Sequence, residues 1–264
     1  MTEEVQGVEE REGALVFFFE ETGYPFVKAE FERIAAPFQS GPISCELILD
    51  QNWNEEWEKT IKPIKVGRFW IRPSWDIGIV PEDKIELIID PKMSFGTGYH
   101  ETTRLMMAGI EEMVREGDRV LDAGTGTGVL AFSALKIGAS KAVGFDVDPI
   151  CKGNADENSL MNGLSERFQM FVGTEKVVPS QTFDIVLANI NRETLRAMLP
   201  ALKVFMTDEA KLGLAGLLIS DREIMLKELE TNGLISVRET TEGDWWSVWA
   251  INSTSIGTIL NSLL

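Results

Sequence analysis

The chain is short of metal ligands and of positive charge. Its 264 residues include two cysteines, Cys45 and Cys151, and one histidine, His100. Two cysteines make neither a disulfide framework nor a cysteine zinc site, and one histidine argues against a metal centre, so no metal is expected. No apolar run approaches the ~18 residues of a membrane span. The opening residues "MTEEVQGVEEREG" lack the basic and apolar regions of a signal peptide, so a soluble, cytoplasmic protein with no membrane partner is expected. Lys and Arg number 25 against 42 Asp and Glu, a net charge of −17. Binding a nucleic-acid backbone needs clustered Lys and Arg, so no direct nucleic-acid binding is expected. The surplus acid either attracts a basic partner or serves solubility alone. No sequence feature fixes an oligomeric state.

What is present is an ordinary globular composition, 44% hydrophobic and 25% charged. "ALVFFFEE" (14–21) and "CELILD" (45–50) read as strands around a helix in which Phe31, Ile34 and Ala35 share a face. Residues 1–50 are therefore expected to form a small α+β unit. "NWNEEWEKTIKPIK" reads as a linker helix over 51–64, with Trp53 and Trp57 one turn apart and a stop at Pro63. From 65 to 264 a larger domain is expected. It opens with two strands, "VGRFWIRPSW" and "KIELIIDP", and then alternates helices and strands, which implies a parallel sheet covered on both faces. Pro200 should kink or split the helix "RETLRAMLPALKVFM". "LISVRET" and "DWWSVWAI" read as a closing hairpin, so one of the last strands should run antiparallel to the rest. The tail "NSTSIGTILNSLL" has no assignment.

The chemistry centres on "VLDAGTGTGVL" (120–130), a strand that ends in an acid and a glycine-rich turn. Parallel sheets bind ligands at the carboxyl ends of their strands. A dinucleotide fingerprint is G-x-G-x-x-G, but here Gly124, Gly126 and Gly128 alternate and Val129 stands where the last glycine would be. Asp122 would also face a pyrophosphate. Two like charges ~4 Å apart at an effective dielectric of ~20 repel by about 4 kcal/mol. A ligand with no phosphate and with an ammonium group gains from the same carboxylate. S-adenosylmethionine is such a ligand, and the glycines let its methionine part approach the backbone. Asp146 ends the next strand, where a carboxylate can accept both ribose hydroxyls. Asp148 is the rival for that position and the better placed for helix capping.

These residues resemble class I S-adenosylmethionine-dependent methyltransferases. That resemblance implies a seven-stranded Rossmann-like sheet with an antiparallel last strand, plus the small N-terminal α+β domain. A narrower resemblance lies in "IDPKMSFGTGYHETTR" (89–104), which is similar to the signature of bacterial methyltransferases of large-subunit ribosomal protein eleven. Asp90, Pro91, Met93, Phe95, Gly96, Thr97, Gly98, His100, Thr102 and Thr103 match it. "NWNEEWEK", "IKPIKVG" and "VLANIN" (186–191) resemble further parts of that family, so the resemblance covers roughly residues 50–250. It implies that Thr103, Gly124, Asp146 and Asn189 hold the cofactor, joined by Asp122 and Gly126 from the turn itself. It makes residues 1–50 a substrate-recognition domain, here with a shortened or reduced start. Tyr99 stands where a small residue or a second histidine is more usual, which would alter the acceptor pocket.

The implied reaction is in-line methyl transfer to lysine or α-amino groups of a basic ribosomal protein. The acceptor amine must be neutral. At pH 7 deprotonating a free lysine costs roughly 4.6 kcal/mol, so an apolar acceptor site is expected. Phe95 is a candidate to line it. The tryptophans Trp245, Trp246 and Trp249 are candidates too, although core packing suits them better. Asn189 is expected to contact the cofactor while its amide carbonyl, or a nearby backbone carbonyl, accepts a hydrogen bond from the incoming amine. His100 is a candidate proton acceptor or simply a hydrogen-bonding loop residue, and Thr103 is either a cofactor contact or a helix cap. The glycine-flanked loop "SFGTGYH" is expected to close over the methionine end of the cofactor. Rival readings are a class I methyltransferase of another protein or of a small-molecule amine, and a catalytically silent scaffold.

Overall fold

The computed structural model describes residues 5–11, 14–19, 24–38, 43–45, 61–92 and 94–255. The chain divides between Trp53 and Asn54 into two compact units.

In the first unit β1 (Val5–Arg11) pairs antiparallel with β2 (Ala14–Phe19), and α1 spans Tyr24–Ala35. Phe17 and Phe19 meet Phe31 edge to face at 5.0 and 5.2 Å. Along α1, Phe31, Ile34 and Ala35 are half-buried between exposed neighbours, which is the expected apolar face. Strand β1 has no counterpart in the sequence reading, because its alternation is masked by acidic residues. All but Cys45 of the strand expected at 45–50, and most of the expected linker helix, lie outside the described residues.

The second unit opens with a three-stranded sheet: β3 (Ile64–Val66), β4 (Phe69–Arg72) and β5 (Ile85–Ile88). The single strand expected over 66–75 is thus the middle of a hairpin. Gly67 takes a left-handed φ of +52° in a two-residue turn, which reverses the chain between Val66 and Phe69.

The principal sheet has seven strands. They are β6 (Arg119–Ala123), β7 (Lys141–Asp146), β8 (Phe168–Val172), β9 (Phe183–Asn189), β10 (Met206–Leu218), β11 (Leu234–Glu242) and β12 (Trp245–Asn252). Their order is β11-β12-β10-β9-β6-β7-β8. Strands β10, β9, β6, β7 and β8 are parallel, and β12 runs antiparallel to both of its neighbours. The helices are α2 (Glu101–Met113), α3 (Val129–Lys136), α4 (Pro149–Met161), α5 (Arg192–Val204) and α6 (Arg222–Thr231). The two-residue period of β9 divides its side chains between two cores. Ile185 and Leu187 join Met106, Ile110, Phe132 and Trp249 on one face. Val186 and Ala188 join Leu195, Leu199 and Trp246 on the other.

Of the kink or split expected at Pro200, helix α5 shows no split, and Pro200 lies on its exposed face. The carbonyl that loses its donor, that of exposed Arg196, can be satisfied by water. Strand β10 begins at Met206, six residues before the expected start, because the polar stretch after Met206 carries the strand past the apolar centre of the sheet.

Candidate active site

The glycine turn joins the end of β6 to α3. Gly124, Gly126 and Gly128 have φ of +69°, +53° and +86°, values that side chains with a Cβ rarely adopt. Gly126 has a second reason to be glycine, since a Cβ there would fall 2.3 Å from the Phe95 carbonyl oxygen. The signature segment lies directly on the turn. Thr127 donates its amide to the Phe95 carbonyl at 3.0 Å and its hydroxyl to the Gly96 carbonyl at 2.6 Å.

Asp122 lies beneath the turn, 1% exposed. Its Oδ2 accepts from the Thr125 hydroxyl at 2.7 Å and from the Ala131 amide at 3.2 Å, while its Oδ1 has no partner among the described residues. Burial pushes its pKa up to about 6, with a small further push from the Asp146 charge, against the two hydrogen bonds that favour the carboxylate. Asp146 ends β7 and accepts from the Gly126 amide at 3.1 Å and from the Asp148 amide at 3.1 Å. Asp148 caps α4 through the Ile150 amide.

Thr103, fully buried on the first turn of α2, lies 3.5 Å from the Asn189 amide nitrogen. The helix cap is instead the side chain of His100, whose Nδ1 accepts from the Thr102 amide. Asn189 ends β9, and its Oδ1 is buried with no partner among the described residues. Phe95, Gly96, Thr103, Gly124, Thr125, Val129, Leu130 and Asn189 together line a slot of about 10 Å³. A larger cavity, about 320 Å³, adjoins it along Ser94, Phe95, Gly96, Thr97, Tyr99, His100 and Glu101. Phe95 is 56% exposed at its mouth. The His100 ring packs edge-on between Phe95, at 5.4 Å, and Trp245, at 4.8 Å. Trp246 and Trp249 are buried in the two cores and do not line this site. The Tyr99 hydroxyl hydrogen-bonds to the Lys62 backbone, accepting from its amide at 2.7 Å and donating to its carbonyl.

Apart from Trp246 and Trp249, the residues singled out in the sequence therefore converge from the signature segment, α2, the glycine turn and the ends of β7 and β9, with Trp245 beside them on β12. The ones it missed hold those segments in register. Asn154 and Asn158 on α4 and Asn162 at its C-cap form a ladder at four-residue spacing. Asn158 exchanges hydrogen bonds with the Asp90 backbone and donates to the Thr127 carbonyl at 3.1 Å. Asn162 bonds to the Ile88 backbone, and Asn154 donates to the Pro91 carbonyl at 2.9 Å. The available signal was three asparagines at helical spacing, where asparagine is a poor helix former. On the opposite side, a bulge in β10 brings Gly216 against the Ile190 backbone. Among the described residues no cluster of metal-ligating side chains occurs.

A sheet of this order, with a glycine turn and acids at the carboxyl ends of its central strands, defines a class I methyltransferase, whose cofactor is S-adenosylmethionine. The chain belongs to the ribosomal protein L11 methyltransferase family, whose model (PrmA) matches residues 2–252. That match extends the likeness beyond residues 50–250 and through the N-terminal unit. The chain is 36% identical over 243 residues to the ribosomal protein L11 methyltransferase of Myxococcus xanthus (strain DK1622), covering 91% of this chain and 82% of that protein. It is 36% identical over 202 residues to the enzyme of that name from Histophilus somni (strain 2336), covering 76% and 67%. The crystal structure of a ribosomal protein L11 methylase from Lactobacillus delbrueckii subsp. bulgaricus matches with a TM-score of 0.68 at 26% identity, over 73% of this chain and 99% of that one.

Proposed function

We propose that the protein transfers methyl groups from S-adenosylmethionine to amino groups, lysine side chains or an α-amine, of ribosomal protein L11 in the cytoplasm. The observation that carries this reading is the unpartnered Oδ1 of Asn189, a buried acceptor in the slot between the glycine turn and the signature segment. A buried amide oxygen left without a donor costs about 1–3 kcal/mol, a cost that an incoming amine N–H removes. The second orphan, Asp122 Oδ1, suits the ammonium of the cofactor's methionine end. Gly124 and Gly126 keep the turn free of side chains where that end must approach. Asp146, fixed by two backbone amides, suits the ribose hydroxyls, and Thr103 orients the Asn189 amide.

When bound, S-adenosylmethionine supplies a methyl group on a positively charged sulfur. The protein's contribution is alignment, worth several kcal/mol, and a dry acceptor site. The aromatic row of Phe95, His100 and Trp245 beside the larger cavity supplies apolar surface, which favours the neutral amine. His100 takes the amine proton on Nε2 only in the tautomer whose Nδ1–H donates to the Thr102 hydroxyl, 2.8 Å away; with Nδ1 accepting from the Thr102 amide, Nε2 already carries the ring proton. The segment carrying Phe95 and Gly96 closes the slot to about 10 Å³, so it must lift for the cofactor to enter and reseat over it. Reduced protease cleavage of residues 94–100 on adding cofactor is the expected sign. The net charge of −17 favours a basic protein substrate over nucleic acid. No helix among the described residues is long and apolar enough to cross a membrane. Mass spectrometry of ribosomal protein L11 after incubation with the enzyme and S-adenosylmethionine tests the reading. Mass gains of whole methyl groups on amine-bearing residues are expected, and an unmodified protein overturns it.

A further inference from the structure

The loop between β4 and β5, residues 73–81, presents its apolar side chains to solvent. Trp75 is 44% exposed, Ile77 91% and Ile79 95%. The loop is nonetheless firmly held. Arg72, paired with Glu86 at 2.6 Å, donates to the carbonyls of Pro73 at 3.1 Å and Asp76 at 2.7 Å. The Asp76 carboxylate accepts from the Gly78 amide at 2.9 Å. Ser74 donates both its amide and its hydroxyl to the Asp90 carboxylate, each at 2.7 Å. Two nearly bare isoleucines on a braced loop form a preformed apolar knob, with little ordering entropy left to lose when a partner covers it.

The surroundings narrow the partner. Between residues 73 and 83 there are three acids, Asp76, Glu82 and Asp83, and no Lys or Arg. Arg72 at the loop base is spent on Glu86 and on loop carbonyls, and Lys84 pairs with Asp83 at 3.0 Å, which leaves the acids in excess beside the knob. An apolar knob flanked by surplus acid complements a protein surface with an apolar patch and a basic rim. It repels nucleic acid and anionic lipid. The brace also connects the loop to the candidate active site. Asp90, which holds Ser74, opens the signature segment whose far end, Phe95 to His100, lines the acceptor cavity.

We propose that loop 73–81 is a docking surface for the basic ribosomal protein substrate, with Ile77 and Ile79 as its apolar anchors. This rests on the reading under Proposed function. The test uses the full chain, recombinant ribosomal protein L11 and the double variant I77S/I79S, whose near-complete exposure spares the core. Losing the burial of even one isoleucine predicts a rise of at least about tenfold in KM for the protein substrate and in its dissociation constant by calorimetry. The value of kcat and the affinity for S-adenosylmethionine should stay as in the wild type. If the wild type binds and methylates the substrate and the double variant does so equally well, the docking proposal falls and the functional reading stands. If the wild type neither binds nor methylates it, both fall. If the substitutions instead abolish self-association, or alter only the protease protection of residues 1–53, the knob is covered by this chain itself and the proposal is overturned.

Discussion

The carboxylate of Asp122 accepts the Thr125 hydroxyl at 2.7 Å from within the core, and one of its oxygens is left unpaired. Its pKa rises to about 6 from an ordinary 3.8. A raised pKa means that the folded protein holds this proton more tightly than the unfolded chain does. The stabilisation is fully present below pH 3.8 and is lost as pH rises through about 6. The ~2-unit shift makes the stabilisation lost between low pH and pH 7.5 about 3 kcal/mol in the ligand-free protein. The stability of D122N relative to wild type should therefore climb by up to that amount between pH 4 and pH 7.5, as followed by chemical denaturation. Wild-type affinity for S-adenosylmethionine should increase through pH 6, as the carboxylate forms, and D122N should lose that dependence. A flat stability difference across the range would contradict the account.

Asn189 has little to lose structurally, since among the described residues its Oδ1 is unpartnered and its Nδ2 meets only Thr103, at 3.5 Å. Asn189→Ala should leave the melting temperature nearly unchanged and lower kcat/KM by about a hundredfold. Thr103→Val should act more mildly, weakening cofactor binding by about tenfold. Equal losses of stability and activity in Asn189→Ala would point to a packing role.

Gly216 has a φ of +83°, and a Cβ there would lie 2.3 Å from the Ile190 carbonyl oxygen. The substitution Gly216→Ala forces the bulge of β10 away from the segment that carries Asn189. It should cost about 1–3 kcal/mol of stability and lower kcat at saturating cofactor. Gly153, within α4, faces open space, so Gly153→Ala should stabilise by about 0.5–1 kcal/mol with unchanged activity. Thermal melts and steady-state kinetics on the pair separate the two kinds of glycine.

Asn158 is fully buried and joins Asp90, Thr127 and Asn154. Asn158→Asp keeps the shape but replaces a donor with an acceptor facing the Asp90 and Thr127 carbonyls. Loss of the network should destabilise by about 3 kcal/mol or more. If folding survives, cofactor affinity should fall because the signature segment and the glycine turn lose their common tether. Retained affinity would show that the two segments need no tether.

Much of the sheet was legible because local chemistry repeats. Apolar strands ending in Asp122, Asp146 and Asn189 alternate with helices, and the closing hairpin has its own turn residues. Strand β1 was illegible because acids obscure its alternation. The β3–β4 hairpin was illegible because a two-residue turn at Gly67 leaves hardly any break in an apolar run. The course of α5 through Pro200 depended on which face met water, which no local pattern records.

The sequence by itself determined which chemistry is available: three glycines that admit a left-handed turn, acids and an amide at strand ends, and an acid surplus that turns away phosphate. These are properties of residue type and local spacing. Only the tertiary structure decided how that chemistry is held. It buried Asp122 and Asn189 with one oxygen each unpaired, it laid Phe95 on Gly126, and it gave three asparagines at helical spacing the task of binding segments up to 74 residues apart. Partners that distant meet only when the whole sheet has formed, and whether a polar atom is satisfied depends on everything that surrounds it.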